Sequence, residues 1–200
     1  DVETLVFDDV LSDRIDAIIN SCPNIKYFIG MNKENDEGKI LSFQKIIDEN
    51  QGNFDVEIDN DKMCTILFTS GTTGKSKGVM LTHTSLIDNT TCVEMGEQKN
   101  SIVLSVLPIH HVYCFNCDIL VGLHLGSVVC FNDSIMRLAK NIAIFKPHII
   151  LLVPMIIETL LFKLTEASKA NPNVPKNILG QSVFGENLRR IYSGGAYLNP

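Results

Sequence analysis

The chain has 200 residues, 45% hydrophobic and 20% charged, a balance that fits an ordinary globular protein and not a disordered or fibrous one. Its formal net charge of −6 does not favour nucleic acid or an anionic membrane as a partner. Six scattered cysteines read as buried thiols of a reduced compartment, and the expected location is cytoplasmic.

The N-terminus is acidic and has no basic segment followed by an apolar run, so no signal peptide is expected. The most apolar stretch, Ile149 to Phe162, is broken by Pro154 and Glu158. It falls short of the ~20 residues that span a bilayer. The chain opens at Asp1 without Met and stops just after a Gly-Gly turn, and it is read as a piece of a longer protein.

In chain order, Ile15, Ile18, Ile19 and Cys22 predict a helix over Ser12 to Ser21, with Ser12 as its N-cap. Ile25 to Gly30 reads as a strand and Ser42 to Asn50 as an amphipathic helix. The polar segment from Gln51 to Lys62 reads as loop, and Met63 to Phe68 as a buried strand entering a Gly-rich run. Val79 to Leu81 is a short strand, and Thr82 can cap a helix running to about Gly96. A subdomain boundary is placed in the polar segment Gly96 to Ser101, giving residues 1–98 and 99–200. Strands follow at Ile102 to Leu107, Ser127 to Phe131, Ile149 to Val153 and Leu188 to Tyr192. Helices are expected over Val112 to Leu125, Met136 to Phe145 and onward from Pro154, where Ile156, Ile157, Leu160, Leu161 and Leu164 line one face. Pro172 to Pro175 reads as loop. Such alternation predicts an α/β fold with mostly parallel sheets and helical crossovers.

The run Thr69-Ser70-Gly71-Thr72-Thr73-Gly74-Lys75-Ser76-Lys77-Gly78 has the makings of an anion nest. Its glycines let backbone N–H groups converge, four hydroxyls add donors, and Lys77 adds mobile positive charge. Gly74-Lys75-Ser76 also matches the second half of a Walker A loop, but the first glycine would have to stand at position 69, which is Thr. Gly78 further interrupts the helix that should follow a Walker lysine. A plain solvated hinge is the bland alternative. The whole run, with its Gly-Val-Met-Leu-Thr-His extension, resembles the phosphate loop of the AMP-forming, adenylate-forming ligase superfamily. That superfamily includes acyl-CoA synthetases, aryl-CoA ligases, luciferases and peptide-synthetase adenylation domains. Ser76 departs from the proline usual before the loop lysine, and the loop is therefore expected to be mobile.

Downstream, Leu107-Pro108-Ile109-His110-His111-Val112-Tyr113 resembles the superfamily's Pro-x-x-His segment opening a helix. Ile191-Tyr192-Ser193-Gly194-Gly195-Ala196-Tyr197-Leu198 resembles its Ser-Gly-Gly-Ala-Pro-Leu segment, with Tyr197 where Pro is usual. Taken alone, His111 would read as a helix-capping residue and Gly-Gly as a strand-exit turn; their order behind the loop favours the functional reading. Cys114-Phe115-Asn116-Cys117 is formally a C-x-x-C that invites zinc or redox readings, yet its apolar surroundings favour buried structural thiols, and no metal site is assigned.

The resemblance implies an N-terminal domain, in part, of the acyl-CoA synthetase and luciferase type, built from two three-layer α/β subdomains. It implies ATP, Mg2+ and coenzyme A, with a fatty acid as substrate, since Leu-Pro-x-His-His-x-Tyr is most similar to long-chain fatty acid–CoA ligases. Thr69, Ser70, Gly71, Thr72, Thr73, Gly74 and Lys77 would hold the phosphates, and His111 would stand by the reacting carboxylate. Gly194, Gly195 and Ala196 would lie along adenine and acyl chain. The Mg2+-binding Glu is expected after Pro200, and the 200 residues alone are not expected to adenylate. No nucleic acid partner or transmembrane segment is implied, and peripheral membrane contact is left open. Alternatives are a catalytically dead nucleotide-binding relative and an aryl- or amino-acid-adenylating enzyme.

Overall fold

The computed structural model describes residues 2–69, 76–93 and 99–198. By compactness the chain divides into Asp1–Glu57 and Ile58–Pro200. The segment 96–101, where a subdomain boundary is expected, falls inside the second unit, and the helix before it packs on the one after it through Asn89, Thr90 and Asn116.

In the first unit, strands β1 (Thr4–Phe7), β2 (Tyr27–Gly30) and β3 (Ile40–Ser42) form a parallel sheet in that order. Helix α1 (Ser12–Ser21) buries Ile15 against Phe7 and Phe28, with Ile18 and Ile19 beside them. Ser12 is not the N-cap. A 3-10 turn at Asp9–Leu11 precedes the helix, Asp8 caps that turn, and Ser12 is already helical, its hydroxyl donating to the Asp9 carbonyl at 2.7 Å. Strands β1 and β3 escape a sequence reading because three or four residues are too few for a visible alternation. Helix α2 (Phe43–Glu49) is capped by Ser42, whose Oγ accepts from Lys45 N at 3.2 Å.

The second unit opens with an antiparallel pair, β4 (Met63–Thr69) and β5 (Lys77–Thr82), paired from Thr69 with Lys77 to Met63 with Thr82. Helix α3 (His83–Cys92) follows without a linker. Thr82 ends β5 and caps α3, closing a box in which its Oγ1 accepts from Ser85 N and Ser85 Oγ accepts from Thr82 N.

A four-stranded parallel sheet comes next, from β6 (Ile102–Ser105), β7 (Val128–Phe131), β8 (Ile149–Leu152) and β9 (Arg190–Ser193), in the order β7-β6-β8-β9. Strand β8 is buried along its length, and each such aliphatic side chain contributes about 1.5–3 kcal/mol. Successive residues face opposite layers, as strand geometry requires. Leu104, Ile150 and Leu152 pack with helices α5 (Leu138–Phe145) and α6 (Pro154–Ala170), through Leu138, Ile142, Ile157 and Leu160. Val103, Ile149 and Leu151 pack on the other side with Val121, Tyr113 and Cys117.

The expected long helix over 112–125 is mostly a π-helix (Cys114–Leu120) running into a short α4 (Val121–His124). Helix α7 (Lys176–Phe184), which carries no clear apolar stripe, packs on α6 and α5. At the amino edge of the sheet, Ile102 N donates to His148 Nδ1 at 2.9 Å and His148 N donates to Ile102 O at 2.8 Å, pinning β6 to the start of β8. Among the described residues, no helix is long and apolar enough to cross a membrane.

Candidate functional site

The hairpin positions the two described ends of the Gly-rich run, Thr69 and Lys77. Thr69 and Lys77 face each other at its mouth, with Thr69 Oγ1 donating to Lys77 O at 3.5 Å, a bond long enough to be exchanged for a ligand. Lys77 is exposed and has no carboxylate partner among the described residues. Ser70, Gly71, Thr72, Thr73 and Gly74 lie outside the described residues, as does the mobility expected of that loop. The chain leaves the loop directly into β5, antiparallel to β4. A Walker A loop must enter a helix at this point, so the Walker reading fails.

The other two motifs meet at the carboxyl edge of the parallel sheet. After β6 the chain crosses to the face holding the π-helix, and after β8 it crosses to the opposite face as α6. Neighbouring strands whose exits diverge in this way leave a crevice at their carboxyl ends, the preferred ligand position in open α/β sheets. His111 lies in the segment that follows β6, and Val153 to Pro154 in the one that follows β8.

His111 is exposed and opens a helix, as expected. Its N–H donates to Pro108 O at 2.9 Å in a tight turn, and its carbonyl accepts from Phe115 N at 2.9 Å. The imidazole is thus held by its backbone at both sides while the ring stays exposed. His110 is also exposed.

Gly194 leaves β9 with its N–H donating to Leu152 O at 3.2 Å. A Cβ there would stand 2.7 Å from Tyr113 Cζ, so only glycine fits beneath that ring. Gly195 has φ +78°, the left-handed region that favours glycine. Ala196 follows, exposed. The His segment and the Gly-Gly turn are therefore brought together through Tyr113. That aromatic was missed in the sequence; the available signal was its place two residues after His111 at the start of an apolar helix.

Burial pushes the Tyr113 phenol up to about 12, aided by the nearby Cys117 and Asp118, so it stays a neutral donor. Burial likewise pushes the Cys114 thiol up to about 11, against a lowering contact from Ser105 Oγ at 3.2 Å. Cys114 also donates to Leu107 O at 3.0 Å, and burial raises Cys117 as well. A redox C-x-x-C needs a depressed thiol, and burial raises both of these. The expectation that all six cysteines are buried is corrected: Cys114 is buried, Cys22, Cys117 and Cys130 are partly so, and Cys64 and Cys92 are exposed, because β4 and α3 leave those side chains toward solvent.

The chain is similar in sequence and in fold to known proteins. The profile of a family described as AMP-binding enzyme matches residues 4–200. A 4-coumarate–CoA ligase 2 from Nicotiana tabacum is 35% identical over 114 residues, covering 50% of this chain and 21% of that protein. A peroxisomal long chain acyl-CoA synthetase 7 from Arabidopsis thaliana is 31% identical over 161 residues, covering 78% of this chain and 23% of that protein. Among solved structures, the N-terminal domain of FACL13 from Mycobacterium tuberculosis superposes with a TM-score of 0.73 at 20% identity, over 98% of this chain and 46% of that one. The adenylation domain of a carboxylate reductase from Mycobacterium chelonae gives 0.78 at 16% identity, over 99% and 36%. At such identities the structures speak for the fold alone. The chain spans about a fifth to a quarter of the length of the curated relatives it matches.

Proposed function

This chain belongs to the AMP-binding enzyme family, and from that premise we propose that it forms part of an ATP-dependent acid–CoA ligase acting on fatty acids. The observation that carries the reading is the joining of two motifs at one sheet edge, where Tyr113 covers Gly194 beside the exposed His111.

In the first step a carboxylate oxygen of the acid attacks the α-phosphorus of ATP. The bond to the bridging oxygen breaks, giving acyl-adenylate and pyrophosphate. Lys77 and the Thr69 hydroxyl, with loop residues 70–74, hold and neutralise the β- and γ-phosphates, and the mobile ammonium follows the charge as it moves to the leaving group. His111 orients the carboxylate or donates to an oxygen on which charge develops. Backbone at Gly194 and Gly195, free of side chains, lets a flat base and an acyl chain approach, with Ala196 alongside. In the second step the thiol sulfur of coenzyme A attacks the acyl carbonyl carbon and AMP leaves.

Mg2+, when bound, screens the phosphate charge. Among the described residues, no three His, Cys, Asp or Glu side chains come together to hold a metal ion. A cytoplasmic location goes with the reading and is supported by the six free cysteines.

Fatty acid is preferred over aryl acid because the family match with a long chain acyl-CoA synthetase covers more of this chain, 78% against 50% for the tobacco 4-coumarate–CoA ligase. The aryl reading is kept as second, since relatives of that kind share up to 35% identity. ATP–pyrophosphate exchange by the full-length protein, measured against fatty acids of graded length and 4-coumarate, tests both. Exchange stimulated by long-chain acids supports the first reading, stimulation by 4-coumarate alone supports the second, and none with any acid points to a catalytically dead nucleotide-binding relative.

A further inference from the structure

The π-helix is buried on two sides. Cys114 and Asp118 sit on the sheet side, while Asn116, 4% exposed, is turned toward α3. Cys114 and Asp118 are four residues apart and share a face, whereas Asn116 between them points the other way, as helical spacing requires. A buried amide is costly unless its groups are bonded. Here both ends are: Thr90 Oγ1 donates to Asn116 Oδ1 at 3.2 Å, and Asn116 Nδ2 donates to Asn89 Oδ1 at 2.6 Å. Thr90 is itself 7% exposed. A leucine could fill this seam without polar matching, but it could not fix one register of the two helices, as a bonded amide does.

What the clasp joins gives it meaning. On one side, α3 begins at the residue after β5 ends, so the hairpin bearing Thr69 and Lys77 moves with α3. On the other, Asn116 stands five residues beyond His111, in the helical run that starts at the His111 carbonyl and presents Tyr113 to Gly194. Asn89 and Thr90 with Asn116 thus form a polar link between the element proposed to hold the phosphates and the element proposed to hold the acid.

We infer that Asn116 is a positioning residue that sets the hairpin of Thr69 and Lys77 relative to His111 and Tyr113. The catalytic half of this inference rests on the adenylation reading above. Its test uses Asn116→Leu, Thr90→Val (same shape, no hydroxyl) and Thr90→Ser (hydroxyl kept) in the full-length protein. Hydrogen–deuterium exchange should speed up roughly tenfold in Lys77–Thr82 and in residues 108–113 for the first two variants, with β6 and β8 unchanged. ATP–pyrophosphate exchange should lose roughly 10- to 100-fold in kcat, while KM for ATP and for acid each move less than about twofold. Thr90→Ser should restore both. Faster amide exchange confined to 89–93, or spread evenly over the sheet, overturns the inference. So does a kcat that stays at the wild-type value well below the melting temperature. If the wild type shows no pyrophosphate exchange, the adenylation reading fails, and the amide exchange pattern still decides the coupling.

Discussion

Tyr113 lies over Gly194 so closely that a Cβ on the glycine would come within 2.7 Å of Cζ and 3.0 Å of Cε1 and Cε2. The ring is backed by the cluster of Val103, Val121, Ile149 and Leu151, which leaves it little room to retreat. Gly194→Ala should therefore cost about 1–3 kcal/mol by overpacking, read from denaturant unfolding. Adding Tyr113→Ala should make the pair non-additive, because the added methyl then enters the space the ring has left. Strictly additive losses would show that ring and turn do not share the contact.

Lys77 is exposed, so Lys77→Ala should leave stability within about 0.5 kcal/mol of wild type. Losing a charge-assisted phosphate contact worth about 1.5–3 kcal/mol should weaken ATP binding roughly 10- to 100-fold, with Lys77→Arg recovering part of it. Isothermal titration with ATP reads this directly. Unchanged affinity in Lys77→Ala would remove the lysine from the phosphate site.

His111→Ala should behave differently. The ring is exposed and its anchoring bonds are backbone bonds, so folding and ATP affinity should hold. Pyrophosphate exchange should fall roughly 100-fold, the scale of a lost general acid–base or orienting group. A joint fall in melting temperature and ATP affinity would instead mark His111 as a structural cap.

The buried thiol gives a pH signature. The Cys114 thiol is raised from 9.0 to about 11 chiefly by burial, so the folded state keeps a proton that the unfolded chain releases. Its contribution to stability is full below pH 9 and is lost as pH rises from 9 toward 11. Urea unfolding at several alkaline pH values should show a shallower decline for Cys114→Ala than for wild type. At pH 8 an alkylating reagent should modify the exposed Cys64 and Cys92 and spare Cys114 until the protein unfolds. Parallel pH profiles for the two proteins would contradict the assignment.

Several elements were legible because their signal is local. Thr82 and Ser85 form a capping box readable three residues apart, and Pro154 sits at the start of α6 where a missing N–H costs nothing. The apolar runs at 102–105 and 149–152 announce strands buried on both faces. Ser12 misled because Asp8 and a 3-10 turn supplied the start of the helix one turn earlier, a competition between neighbours that the residue type does not reveal. Helix α7 has no apolar stripe and is held by α6 and α5, so its order comes from packing.

By itself the sequence determined the chemistry on offer: a hydroxyl- and glycine-rich loop with Lys77, a histidine at a helix start, and a Gly-Gly turn, in an order specific enough to name a family. Those are properties of residue type and spacing, which the chain carries unfolded. Only the tertiary structure decided that β4 and β5 pair antiparallel, that Tyr113 lies on Gly194, and that Asn116 clasps Asn89 and Thr90 across more than twenty positions of chain. Such long-range pairings depend on which faces of β6 and β8 receive the π-helix and α6. That is fixed by how the two apolar layers share one sheet, and no local stretch of sequence encodes it.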